Sequence, residues 1–544
     1  MRARWPVWLA LVAFFVMCGT TVHGVGLVGE VAIGWAAPSA PQVLSHLSPP
    51  SDTAVDHGAL TVRGTRPMLS VGSWPIAINS YTGGFADWPA RAATTLTGRW
   101  QVGAGLNVVL GGLFILLAAR FLRFHGTEPA AAAVAWLLAT DWTFVFYRKV
   151  LAGTESLLLA AGLLVVWSMW SRRWKGGVHG TVAIALGVAL GLNAKLTFAA
   201  SLAAWGVTAL LMRWDRAALK PPRPVSGWRL ATIALTGVLP LLVANAYLAT
   251  LGDAATRSHD MVGLQLARLT QAAPARESWY NLVCFFGNPN AWLAPALGAD
   301  PVAPLSALRG LGFLVTVVGV GLEWRARTPT ASAALLRFLS VAVPLQVGFL
   351  FLANQDLHHL AQATPPLLLL VALAADRAAA EWGPPRSLTR WGVTFLFVLP
   401  HVIAGALHLA ATDRVLATAP RSSFTEAGQT ALLTGLEAAG CTRVTTSDYE
   451  IYGTLEVRAP TLTVVHTWAA VANGERDGAG ILTVAAGGCY VSIRPTAPMI
   501  YDWHPSEADV ARAAARAGLE TRRLGSLLDE DGSEWAAIYA VSAK

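Results

Sequence analysis

Charge is the scarcest property of this sequence. Asp, Glu, Lys and Arg make up 13% of its 544 residues, against about 25% in a soluble globular chain. A chain so poor in charge cannot keep most of its surface in water, and a wholly soluble protein is excluded. Cysteine is scarce too, and four residues are too few for a disulfide scaffold. Cys18 falls inside the first apolar run and reads as packing. Cys441 and Cys489 stand in a polar C-terminal stretch and could be joined, although spacing alone fixes no geometry. A long basic stripe with interleaved aromatics is absent, so the formal charge of +8 does not point to nucleic acid. Most Arg and Lys residues stand in short loops beside apolar runs, where membrane topology puts them.

What the sequence does have is long apolar runs. The first, Trp5 to about Val28, follows a basic start and reads as a retained span rather than a signal peptide, because it is long and no small-residue cleavage site ends it. Further runs centre near Leu113, Ala135, Leu159, Leu186, Ala204, Leu239, Val315, Val343, Leu370 and Val398, giving about eleven spans. With the N-terminus cytoplasmic, the cytoplasmic connections are Arg120 to Arg123, Ser171 to Lys175, Arg213 to Arg229, Glu323 to Arg327 and Asp376 to Arg390, and every one is rich in Arg or Lys. The opposite side then carries long loops at 29–101 and 252–304 and a tail from Thr412. Several of the 22 Trp, among them Trp5, Trp100, Trp167 and Trp324, lie near span ends, as headgroup-level side chains do.

The expected fold is therefore an α-helical polytopic membrane protein in a bacterial-type inner or plasma membrane, with a transmembrane part over 1–411 and a small extracytoplasmic α/β domain over 412–544. In the first outer loop, Trp88 to Leu96 fits a short interfacial helix with Pro89 in its first turn, the plainer alternative being a solvated linker. In the tail, Ser423 to Ala439 reads as a helix capped by Ser422 or Ser423 and ended by Gly440. Ser506 to Ala517 reads as a second capped helix, and Arg443 to Thr446, Leu462 to His466 and Trp535 to Val541 read as strands. The tail has neither a glycine-rich phosphate loop nor metal-ligand spacing.

Ionisable residues at or within spans cost roughly 2.5 to 3.5 kcal/mol each at mid-helix and call for named partners. Three clusters qualify: Asp141 with Arg148 and Lys149, with Glu155 just beyond; Lys195 in Gly191-Leu192-Asn193-Ala194-Lys195; and Asp356, His358 and His359. All fall on the side of the two long loops. A basic, partly desolvated pocket there suits a phosphate or pyrophosphate headgroup, whose oxygens Arg binds bidentately and Lys binds as a point charge. The plainer alternative pairs Asp141 locally with Arg148 or Lys149 and leaves the histidines at the interface. Adjacent histidines point about 100° apart on a helix and no nearby Cys or Glu completes a set, so no metal site is assigned.

The order of these features, together with Asn79-Ser80-Tyr81-Thr82-Gly83-Gly84, Leu137-Leu138-Ala139-Thr140-Asp141, the Lys195 motif and the His358-His359 pair before Pro365, resembles the GT-C glycosyltransferases. More narrowly, it is similar to bacterial relatives of the protein O-mannosyltransferase and aminoarabinose-transferase group, family 39. The resemblance covers roughly Met1 to Ala411. It implies an inverting transfer of a sugar from a polyprenyl-phosphate carrier, the donor, to a protein, lipid or polysaccharide acceptor at the outer leaflet, with divalent-metal dependence left open. Such chemistry uses a carboxylate to take the acceptor proton and cations to steady the departing phosphate. In the family that carboxylate lies in the first outer loop. Here no Asp-Glu pair follows the first span, and the candidates are Glu30, Asp52, Asp56 and Asp87, with Asp56 and Asp87 preferred. Lys195, Arg148 and Lys149 are the expected phosphate contacts, with Asp141, Tyr81, His358 and His359 beside them.

Two other classes compete. A transporter or flippase for a lipid-linked solute also needs polar groups in a membrane cavity, but no convincing repeat relates the two halves. A non-catalytic assembly protein with an outer binding domain fits if no first-loop acid faces the site.

Overall fold

The computed structural model of the chain describes residues 5–20, 69–71, 74–77, 88–97, 99–124, 127–149, 160–165, 178–195, 197–212, 276–287, 303–326, 331–352, 360–384, 387–418, 426–446, 461–466, 478–493, 505–529 and 532–544, with a few single residues at 228–239 and 451–459. The apolar runs form helices. In order these are α1 (Trp5–Thr20), α2 (Trp88–Thr97), α3 (Trp100–Phe124), α4 (Glu128–Thr140), α5 (Trp142–Lys149), α6 (Val178–Ala194), α7 (Phe198–Met212), α8 (Arg276–Phe286), α9 (Ala303–Arg325) and α10 (Ala331–Leu352). A 3-10 turn at Ala361–Ala363 then leads into α11 (Thr364–Ala379), and α12 (Leu388–Thr418) follows. A short hairpin, β1 (Leu69–Val71) with β2 (Trp74–Ala77), precedes α2.

Five helical stretches among the described residues are long and apolar enough to cross a membrane: Gln101–Phe124, Ser306–Arg325, Ser332–Leu352, Ala361–Trp382 and Leu388–Arg414. The expected count of about eleven is thus matched only in part, and the runs near Leu159 and Leu239 fall largely outside the described residues. Helix α12 has 31 residues, about 46 Å at 1.5 Å per residue, longer than the ~30 Å hydrocarbon core.

Two helices form the centre of the bundle. Every residue of α11 except Arg377 is buried, and every residue of α4 except Glu128 and Trp136. A helix apolar on all sides must be enclosed by others, and α11 packs against α9, α10, α12 and α4. Small residues permit the closest approaches. A side chain at Gly319 of α9 would meet the Ala374 backbone of α11, and one at Gly405 of α12 would meet the Thr140 carbonyl that ends α4. Such packing holds helices together where lipid tails supply no hydrophobic drive.

The C-terminal region carries α13 (Glu426–Ala438), β3 (Arg443–Thr446), β4 (Thr463–His466), α14 (Ala479–Ala485), β5 (Gly488–Ile493), α15 (Glu507–Arg516), β6 (Leu519–Leu528) and β7 (Glu534–Ala543). The sheet has five strands in the order β4-β3-β5-β7-β6. Strands β4, β3 and β5 run parallel, whereas β7 and β6 join antiparallel. Alternate residues feed opposite faces: Val491 and Ile493 pack with Leu432 and Leu436 of α13, and Tyr490 packs with Ile481 of α14 and Val510 of α15. Gly440, at φ 67°, ends α13 in the left-handed conformation, with the Cys441 amide returning to the Leu436 carbonyl at 3.0 Å, a Schellman closure. Ser506 caps α15 through a reciprocal capping box with Asp509. Hydrogen bonds from Ser506, then from Arg512, hold the Asp509 carboxyl below the usual carboxylate range. Cys441, in the turn between α13 and β3, and Cys489 on β5, 48 residues apart, form a disulfide.

Candidate functional site

Helix direction sorts the buried polar groups by the end of the bundle they occupy. At one end, where α9 stops and α10 starts, Glu323 sits 3.1 Å from Arg377 and 3.4 Å from Arg337. Arg337 also donates to the Glu323 and Ala326 carbonyls at 3.0 and 2.7 Å, completing the C-terminus of α9 as a cation does. Arg390 at the start of α12 binds both oxygens of Asp376 at 2.8 Å. Part of the basic population in the Glu323–Arg327 and Asp376–Arg390 connections therefore closes helix ends.

The opposite end holds the groups that point to function. Asp141 sits in the turn between α4 and α5, 6% exposed. Its amide donates to the Leu137 carbonyl at 2.8 Å, ending α4, and its Oδ1 accepts the Phe144 amide at 2.9 Å, capping α5. Its other oxygen faces Arg309 of α9 at 3.4 Å. The local pairing of Asp141 with Arg148 or Lys149 concerns side chains outside the described residues. Arg309 is as buried as Asp141, and His401 and His408 of α12 lie within its electrostatic reach. The His401 ring packs edge-on to Phe313 at 4.7 Å and fills the space that a side chain at Gly312 would need. Arg309 Nε and His401 Nε2 are buried without a hydrogen-bond partner among the described residues. Nearby, the Trp142 indole donates to Thr412 at 2.6 Å, tying α5 to α12.

Lys195 occupies the turn between α6 and α7 and is 2% exposed. Its amide donates to the Gly191 carbonyl at 3.1 Å and its carbonyl accepts the Phe198 amide at 3.0 Å, so the turn is held by backbone on both sides. Gly191 leaves room for the Phe198 ring. In the first turn of α7, Ser201 accepts from Gln346 Nε2 of α10 at 2.7 Å and donates to Gln362 Oε1 at 3.2 Å.

These contacts place Asp141 and the Lys195 turn at the same end of the bundle, since α7 starts where α10 stops and α9 starts. Arg148 and Lys149 close α5, and their side chains lie outside the described residues, as do Asp56, Asp87, Tyr81, His358 and His359 altogether. Sequence reasoning missed Arg309, His401 and His408. Each is an ionisable residue inside a predicted span, so the rule that singled out Lys195 applies to them equally. Ser201, Gln346 and Gln362 carry no comparable signal, because neutral polar residues are tolerated in spans. Among the described residues no group of three or more His, Cys, Asp or Glu is arranged to hold a metal ion.

The chain thus joins a long helical bundle, with buried polar groups at both ends, to a C-terminal α/β sheet. Among solved structures the chain is similar to ArnT, the aminoarabinose transferase of Cupriavidus metallidurans, at a TM-score of 0.54 and 14% identity, over 98% of this chain and 97% of that one. The structure of the same protein bound to undecaprenyl phosphate gives 0.54 and 14%, over 99% and 98%. The oligosaccharyltransferase of Archaeoglobus fulgidus, tethered with an acceptor peptide, gives 0.50 and 13%, over 90% of this chain and 69% of that one. No family model and no curated protein matches the sequence. At such identities the likeness is one of fold.

Proposed function

We propose that the chain is an inverting membrane glycosyltransferase that moves a sugar from a polyprenyl-phosphate carrier to an acceptor at the outer face of the membrane. One observation carries the reading: the fold likeness to ArnT runs the full length of both chains, and ArnT has been solved with undecaprenyl phosphate bound. The oligosaccharyltransferase was captured with an acceptor peptide, which fits a lipid-linked donor and a separate acceptor. In this reading the 1–411 part spans the membrane about eleven times with the N-terminus cytoplasmic, and 412–544 forms an extracytoplasmic domain. The disulfide between Cys441 and Cys489 supports that side, since such bonds persist in oxidising compartments.

Lys195, with Arg148 and Lys149, takes the carrier phosphate. His358, His359, Tyr81 and Asp141 stand beside it, and Asp56 or Asp87 from the first outer loop takes the acceptor proton. The cations offset charge that develops on the departing phosphate, the step where fixed positive groups lower a barrier most. The test is transfer from undecaprenyl-phosphate-linked hexose or pentose in membranes holding equal amounts of each variant. Lys195→Ala is expected to lose about 100-fold or more, and undiminished turnover removes Lys195 from the site. Of Asp56→Asn and Asp87→Asn, one is expected to lose roughly 100- to 10,000-fold, the range of a general base. Full activity in both rules out both carboxylates.

A further inference from the structure

A hydroxyl that bridges three elements is unusual inside a bundle this apolar. Ser201 lies on α7, Gln346 on α10 and Gln362 on the 3-10 turn that leads into α11. Their relative exposures are 0%, 0% and 1%. Ser201 uses both sides of its oxygen, accepting from Gln346 at 2.7 Å and donating to Gln362 at 3.2 Å. A serine hydroxyl carries one donor hydrogen, so here that hydrogen is committed to Gln362. The Gln346 carbonyl oxygen is left without a partner among the described residues. A buried polar atom so placed calls for an explanation.

The position of the network in the chain supplies one. Ser201 stands six residues beyond Lys195, in the first turn of α7. Gln346 lies in the last two turns of α10 and Gln362 in the 3-10 turn that opens α11. Apolar packing between helices tolerates sliding along the helix axes, whereas hydrogen bonds between them specify one register. Breaking the Ser201 bridge frees the Lys195 turn to shift against the ends of α10 and α11.

We infer that Ser201 is a positioning residue, whose bonds to Gln346 and Gln362 hold the Lys195 turn in register with the end of α10 and the start of α11. The inference rests on the proposed role of Lys195 as a contact of the carrier phosphate. A misplacement of about 1 Å in a positioned group is enough to cost on the order of 100-fold, so the effect is within reach of a binding measurement.

The experiment uses the purified full-length protein in detergent, with undecaprenyl phosphate as the probe and thermal melting run in parallel. Ser201→Ala is expected to weaken binding about 10-fold and to raise KM more than it lowers kcat. Ser201→Thr, which keeps the hydroxyl, is expected to return affinity to within about threefold of wild type. In a Lys195→Ala background, Ser201→Ala is expected to add nothing, because the group it positions is gone. Should Ser201→Ala fail to accumulate, Gln346→Leu tests the same bridge from the other helix. Wild-type affinity in Ser201→Ala, or a loss that persists undiminished in the Lys195→Ala background, overturns the inference and leaves the transferase reading standing. A wild-type protein that does not bind undecaprenyl phosphate removes the transferase reading and this inference with it.

Discussion

Arg309 reaches Asp141 across 168 residues of chain, and both side chains are shut away from water. Removing one member of such a pair leaves a charge buried alone, which typically costs about 3–5 kcal/mol, whereas removing both is often close to neutral. Arg309→Met is therefore expected to destabilise the protein by about that amount in detergent melts. Combining it with Asp141→Asn, which keeps an oxygen to cap the Phe144 amide, should recover most of the loss. A single variant that melts with the wild type shows that the two groups do not interact. The placement of Lys195 and Asp141 in the bundle was legible in the sequence, because a charge inside an apolar run stands out. The partner of Asp141 was not, because nothing local to either residue encodes which helices become neighbours.

Among the described residues the bundle helices fall within the apolar runs, and α15 forms where its capping serine and periodicity place it. Strand β3 matches its expected range, and β4 and β7 differ from theirs only at the ends. Strands β5 and β6 escaped notice. Strand β6, Leu-Glu-Thr-Arg-Arg-Leu-Gly-Ser-Leu-Leu, lacks clean alternation and is a register-shifted partner of β7. The seven residues of α14 are too few for periodicity to separate helix from strand.

Helix packing has its own test in two glycines of α9. Gly319 abuts the Ala374 backbone, while nothing lies within 4 Å of a side chain added at Gly321. Gly319→Ala is expected to destabilise by about 1–3 kcal/mol, as overpacking does. Gly321→Ala should be neutral or stabilising by up to about 1 kcal/mol through helix propensity. Equal melting shifts from the two substitutions overturn the account of α9 against α11.

At the scale of the whole molecule, the apolar bundle and the C-terminal sheet have separate cores, and the disulfide belongs to the second. Replacing Cys441 and Cys489 with Ser is expected to destabilise the C-terminal region by about 2–4 kcal/mol, by releasing a loop constraint on its unfolded state. Proteolysis of that region should quicken while fragments of the bundle survive. Unchanged cleavage in the double variant shows that the disulfide does not stabilise the sheet.

Composition and the distribution of charge by themselves determined that the chain is a membrane protein and which connections carry its positive charge. Both follow from the cost of moving residues out of water, which is local to each segment and so written in the order of residues. Only the tertiary structure decided that Asp141 meets Arg309, that Ser201 joins Gln346 to Gln362, and that Cys441 meets Cys489. Those pairings depend on which elements pack side by side and at what depth, a choice made by steric fit among many similar apolar surfaces.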